Sequence, residues 1–176
     1  MKEQIKNITQ ALKTALQMEI EGQEFYHKAW QKSDNLLAKK LFQHLVDQEN
    51  VHIQKIQEIY QGIESRAGWP EKETTFKHER SLKSVFKEAI DSMNMDIKVS
   101  SGEIEALQTA MNMEDNSYSF YKSRAEEATT SAEESFYRTK TAEERGHYLT
   151  LLDSYEYLKD PQGWLSKNEH WGLDGA

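Results

Sequence analysis

The stretch that most restricts what this chain can fold into occurs twice: Glu49-Asn50-Val51-His52 and Glu144-Arg145-Gly146-His147 are Glu-x-x-His units 95 positions apart. The same offset carries Glu19 onto Glu114 and aligns Ala15, Met18, Phe25, Tyr26 and Tyr60 with Ala110, Met113, Phe120, Tyr121 and Tyr155. The chain therefore reads as an internal duplication, and each motif must be placed on its helix or strand together with its copy.

Two prolines, eight glycines and an abundance of Glu, Lys, Gln, Ala and Leu favour helix throughout, and no alternating strand segment is present. The fold class expected is all-α. A first helix should open near Asn7, capped with Gln10 three residues on, and run to about Lys32 on the stripe Ile8, Leu12, Ala15, Gly22, Phe25, Tyr26 and Ala29. At about 100° per residue Glu19 lies within about 60° of Ala15, Gly22 and Tyr26, in the middle of that apolar stripe. Ser33, Asp34 and Asn35 form a tight connection and cap, and a second helix follows to about Ile63 with Leu41, Leu45, Ile56 and Ile59 inward. Glu49 and His52 sit inside that stripe. Glu19 and Glu49 each stand fifteen residues from Asp34, so an antiparallel hairpin sets them at one height, about 22 Å from the turn at about 1.5 Å per residue.

The middle of the chain, about 64–101, is a long crossover. Arg66 to Arg80 contains Gly68, Pro70, Thr74 and Thr75 and reads as loop, while Leu82, Val85, Phe86, Ala89, Ile90, Met93 and Ile97 recur at helical spacing and predict a short extra helix. A connection of this length is explained if it travels the length of a four-helix bundle, leaving the second and third long helices parallel. The alternative is a hinge that exchanges helix pairs between two subunits. Ser100 with Glu103 predicts a capping box for the third helix, on the stripe Ile104, Leu107, Ala110, Met111, Tyr118 and Tyr121 with Glu114 embedded in it. Ser131 with Glu134 predicts another for the fourth, which carries Glu144, His147, Leu151 and Leu158 inward. Glu114 and Glu144 are again fifteen residues either side of the connection near Thr129. Pro161 ends the fourth helix, so that residues 1–160 form the bundle and 161–176 an aromatic tail, whose Trp164 and Trp171 should pack on the bundle or on a partner subunit.

A net charge of −8 and a pI near 5.3 exclude the clustered basic face that nucleic acid demands. The longest unbroken apolar run, Leu36-Leu37-Ala38, is far too short for a membrane span or a signal peptide, and a cytoplasmic protein is the expectation. Zero cysteines exclude disulfides, thiolate metal sites and a cysteine nucleophile. Any metal must be held by carboxylate and imidazole.

Glu19, Glu49, His52, Glu114, Glu144 and His147 are thus expected in one layer of the bundle. Four buried ionised carboxylates are prohibitively unfavourable alone, and two divalent cations cancel their charge. The absence of thiolates suits iron or manganese, with zinc also able to bind. A redox-active pair leaves room for dioxygen or hydrogen peroxide between the metals. Tyr26 and Tyr121, two turns from Glu19 and Glu114, can hydrogen-bond the ligands or serve as core aromatics. A third Glu-x-x-His, Glu24 to His27, is a decoy, since Glu24 lies about 140° around the helix from Glu19 and faces water. His44, His78 and His170 have no matched carboxylate and are expected at the surface or its edge. Asp47 and Asp115 lack equivalent partners across the duplication, where Ala142 and Ile20 stand.

These residues resemble the ferritin-like di-iron family, and within it the rubrerythrins, along the whole chain: Met18-Glu19 to Phe25-Tyr26, Asp47-Gln48-Glu49 to His52, and the tail from Trp164 to Ala176 carry the likeness. The resemblance implies two irons, with Glu19 and Glu114 as terminal ligands, Glu49 and Glu144 bridging, and His52 and His147 each completing one metal's shell. It implies peroxide reduction, a homodimer and an electron donor. Rubrerythrins proper carry a rubredoxin domain with a four-cysteine iron, so here electrons would come from a separate, rubredoxin-like partner. Their additional glutamate, one turn after the first ligand of the third helix, is replaced by Ser117. Three readings stay open: an oxidoreductase reducing peroxide or reacting with dioxygen in oxidant defence, an iron-binding ferroxidase, and a structural or regulatory bundle stapled by its metal.

Overall fold

The computed structural model describes residues 2–66, 69, 80–93 and 97–169. Its helices are α1 (Lys2–Lys32), α2 (Leu36–Arg66), α3 (Leu82–Ser92), α4 (Ser101–Glu127), α5 (Ser131–Lys159) and α6 (Pro161–Glu169), and no strand occurs among the described residues. The fold is all-α, a ferritin-like bundle of α1, α2, α4 and α5. No described helix is long and apolar enough to cross a membrane.

Local chemistry sets most helix ends. Asn35 Oδ1 accepts from Ala38 N at 3.1 Å and opens α2. Ser100 and Glu103 form the expected capping box on α4, with Glu103 N donating to Ser100 Oγ at 3.2 Å and Ser100 N to Glu103 Oε2 at 2.8 Å. Several boundaries differ from expectation. The first helix starts at Lys2 rather than near Asn7, because Ile5 and Ile8 pack with Leu12 against Phe136 and Tyr137, and that burial outweighs the local capping signal. The cap of α5 is Thr130, one residue ahead of Ser131: Thr130 Oγ1 accepts from the N–H of buried Glu133, while Glu134 turns outward to Arg138. Beyond Pro161 the chain forms α6 rather than an irregular tail, since proline at the first helical position forfeits no needed N–H. Asp160 Oδ1 accepts from Gly163 N at 3.0 Å, and Trp164 seats edge-on against Phe86 and Tyr157, with ring centroids 5.3 and 5.5 Å away. Trp171 lies outside the described residues.

Hydrogen bonds between the helix ends give the topology. Asp34 N and Asn35 N both donate to Glu103 Oε1, at 2.9 and 2.7 Å, and Asn35 Nδ2 donates to Lys98 O at 2.9 Å. The starts of α2 and α4 therefore share one end of the bundle, and the two helices run parallel. At the other end Gln4 Nε2 reaches Thr129 Oγ1 at 2.8 Å. Within the crossover, helix α3 buries Leu82, Val85, Phe86 and Ala89 in a cluster with Leu41, Phe42, Leu45, Leu151 and Tyr157. That helix ends at Ser92, so Met93, its C-cap, and Ile97 fall outside it. The expected loop with Gly68, Pro70, Thr74 and Thr75 lies outside the described residues; Trp69 within it stands 5.5 Å from Phe136.

The apolar interior divides into two clusters. Tyr26, Leu45, Ala110 and Leu151 belong to one, and Ala15, Ile56, Tyr121 and Tyr137 to the other. Along every long helix the residues between these markers are Glu19, Glu49 and His52, Glu114, and Glu144 and His147. A polar layer is clamped between two apolar ones.

Candidate metal centre

All six residues singled out in the sequence lie in this layer and are between 0% and 4% exposed, so water does not solvate their charges. His52 turns Nδ1 toward Glu19 Oε2 at 2.9 Å and Glu49 Oε2 at 3.3 Å. His147 turns Nδ1 toward Glu114 Oε2 at 3.4 Å. The imidazoles stack nearly parallel with centroids 6.3 Å apart. Two sets of donor atoms, each within 4.8 Å of one another, emerge: Glu19, Glu49 and His52, and Glu49, Glu114 and His147. Glu49 belongs to both and stands between the two positions. Glu144 stands outside both three-residue sets, hydrogen-bonded with Glu114 and ion-paired with Lys140.

The electrostatics show how strained four carboxylates are here. Burial pushes the Glu49 carboxyl well up, and the neighbouring Glu19 charge adds to it. Burial raises Glu144 to about 8, partly countered by Lys140 and reinforced by Glu114. Glu19 is the exception: burial raises it, but the Lys140 ammonium, the Glu49 hydrogen bond and His52 together hold it well below the usual range. Burial also lowers His147 to about 4, leaving a neutral imidazole. Its Nδ1 is buried without a hydrogen-bond partner and faces a carboxylate oxygen. Two lone-pair donors at that separation fit a cation bound to both at about 2.0–2.2 Å. The donor set and geometry fit divalent metal.

The tyrosines cross between the halves. Tyr26 on α1 donates to Glu114 Oε1 on α4 at 2.7 Å, and Tyr121 on α4 donates to Glu19 Oε1 on α1. Each hydroxyl thus orients the carboxylate of the opposite repeat rather than the one two turns away on its own helix.

Sequence reasoning missed Lys140, Glu143 and Gln48. Lys140 is fully buried with Nζ 3.3 Å from Glu19 Oε2 and 2.6 Å from His52 Nδ1. Its signal was available: it lies four residues before Glu144, at the position the duplication fills with Leu45. Glu143 sets Oε2 3.3 Å from His52 Nε2, the outer-nitrogen contact that orients a ligating imidazole. Its counterpart Gln48 is buried. Gln48, Glu143, Gly146 and His147 line one side of a cavity of about 800 Å³ that also touches Leu82 and Thr150.

The remaining candidates stay apart from the layer. Glu24 and His27 are exposed, Glu24 pairing with Lys28 and His27 lying beside Trp30. His44 is half-buried with Nε2 3.1 Å from Arg80 O. Asp47 and Asp115 are exposed, and Ser117 is half-buried. His78 and His170 lie outside the described residues.

Among curated proteins and among solved structures no match is found. A family model described as Rubrerythrin matches residues 10–155, a span that runs from before Glu19 to beyond His147 and takes in the whole polar layer. The buried carboxylate and histidine cluster and this match agree, and the chain belongs to the rubrerythrin family, whose members bind a di-iron centre.

Proposed function

We propose that this protein is a non-haem di-iron oxidoreductase that reduces hydrogen peroxide, taking electrons from a separate, rubredoxin-like donor. The observation that carries the reading is the pair of facing donor sets sharing Glu49, with each outer glutamate fixed by a tyrosine from the other repeat. Glu19, Glu49 and His52 would hold one iron, and Glu49, Glu114 and His147, with Glu144 beside them, the other. The chemistry such a centre would supply when loaded with two ferrous ions is two electrons, which with two protons convert one peroxide to two waters. Tyr26 and Tyr121 keep Glu114 and Glu19 from rotating, so that the ligand positions are set before substrate arrives. The cavity beside His147 supplies the approach, and Glu143 on its wall offers a carboxylate for proton exchange within 3.3 Å of His52 Nε2. The apolar clusters on either side keep bulk water from the carboxylates.

This reading includes a cytoplasmic location and a homodimer, the latter measurable by sedimentation. Its test is the mixing of anaerobic diferrous protein with hydrogen peroxide. One peroxide per two irons should disappear, with both irons oxidised, faster than with free ferrous ion. Peroxide loss no faster than that of the free ion overturns the proposal. Oxidation of many ferrous ions per chain would instead identify a ferroxidase, and a site that binds metal without any turnover a structural staple.

A further inference from the structure

The duplication is imperfect at the site itself. Leu45 and Gln48 in the first repeat correspond to Lys140 and Glu143 in the second, so the second repeat adds one cation and one anion where the first has neutral groups. Both additions touch the Glu19 and His52 position. Lys140 Nζ contacts Glu19 Oε2 and His52 Nδ1, at 3.3 and 2.6 Å, and pairs with Glu144. Glu143 contacts the other nitrogen of His52. The position made by Glu49, Glu114 and His147 keeps its donor atoms grouped within 4.8 Å, with the His147 Nδ1 lone pair directed at Glu114. A metal bound to Glu19 and His52 Nδ1 at about 2.0–2.2 Å would lie within van der Waals range of the ammonium. Both cations cannot occupy that place.

We propose that the two metal positions are inequivalent: the Glu49, Glu114 and His147 position fills first, and Lys140 occupies the Glu19, Glu49 and His52 position as a built-in cation that the second ion must displace. Lys140 is fully buried, so its charge must be balanced inside the bundle, and Glu19 and Glu144 provide that balance until the second ion arrives. Displacement moves the ammonium off Glu19 and His52, which the four-carbon stem allows, with Glu143 and Glu144 as nearby anions. Metal loading is then ordered, and a singly loaded form accumulates at limiting metal.

The inference rests on the di-metal reading, and its test separates the two. Anaerobic titration with cobalt(II), followed by calorimetry and visible absorption, should show two equivalents per chain, the second bound at least tenfold more weakly than the first. Lys140→Met, which removes the charge and keeps the length, should strengthen the second step tenfold or more and so narrow the gap between the two steps. His147→Ala should abolish the tight step, while His52→Ala should abolish only the weak one. Two equal steps in the unaltered protein overturn the inference alone, whether or not any variant folds. A Lys140→Met protein that folds, judged by circular dichroism, yet keeps the wild-type spacing of affinities also overturns it. Absence of cobalt binding overturns the di-metal reading with it.

Discussion

Glu103 offers a test of the topology that brings the ligands together. Its carboxylate accepts four hydrogen bonds: from Asp34 N and Asn35 N at 2.9 and 2.7 Å on Oε1, and from Ser100 N and Ser100 Oγ at 2.8 and 2.9 Å on Oε2. It ties the start of α4 to the start of α2, and Glu114 sits eleven residues further along, about 16 Å at about 1.5 Å per residue. Glu103→Gln preserves size but turns an amide NH2 toward one pair of donors. One backbone N–H then loses its acceptor, costing about 1–3 kcal/mol, and the retained bonds lose their charge assistance, so the expected total is about 2–4 kcal/mol. Against a typical domain stability of about 5–15 kcal/mol that is easily measured by urea denaturation followed at 222 nm. The pH dependence gives a second reading. Burial raises the Glu103 carboxyl, but the backbone N–H groups of Ser100, Asn35 and Asp34 outweigh it and hold it below the usual carboxylate range. Its contribution is therefore present above the unfolded value of about 4.3 and lost as pH falls through the lower folded value. The gap between wild type and variant should be full at neutral pH and narrow steadily on acidification below about pH 4. A variant within about 0.5 kcal/mol of wild type at neutral pH, or a gap that acid does not narrow, would refute this account.

On the di-metal reading, chelation should lower the melting temperature and reshape its pH dependence, because Glu144 (about 8), Glu49 and His52 all have folded values above their unfolded ones. Each such group loses its contribution as pH rises, so calorimetry of the metal-free protein should show stability falling between about pH 6.5 and 8; a flat or rising profile contradicts the assignment. Tyr26→Phe removes the donor to Glu114 Oε1 while keeping the ring stacked on Phe42, and should cost about 1–2 kcal/mol in urea titrations and weaken metal binding at the Glu114 and His147 position. Glu24→Ala and His27→Ala alter exposed side chains, so each should shift stability by less than about 0.5 kcal/mol and leave the metal stoichiometry unchanged when assayed by elemental analysis.

Much of the site was legible because helix geometry is local. Three and four residues return to the same face whatever surrounds the helix, so Glu49 with His52 and Glu144 with His147 could be placed together without knowing their neighbours. Equal distances from Asp34 and from the Thr129 connection then brought Glu19 and Glu114 to the same height, and the structure places all six in one buried layer. The capping box of α4 was legible for the same reason, since both its partners lie within one turn.

What the sequence by itself determined is the all-α class, the repeat, and which carboxylates and imidazoles face inward, all consequences of periodicity. Only the tertiary structure decided which groups meet across helices: Tyr26 with Glu114, Tyr121 with Glu19, Glu103 with the start of α2, and Lys140 with Glu19 and His52. Long-range packing also moved the start of α1 to Lys2 and seated Trp164 of α6 against Phe86 and Tyr157. Such pairings depend on how each helix is rotated and how far it slides against its neighbours, and that is set by the summed packing of two apolar clusters rather than by any residue's own spacing.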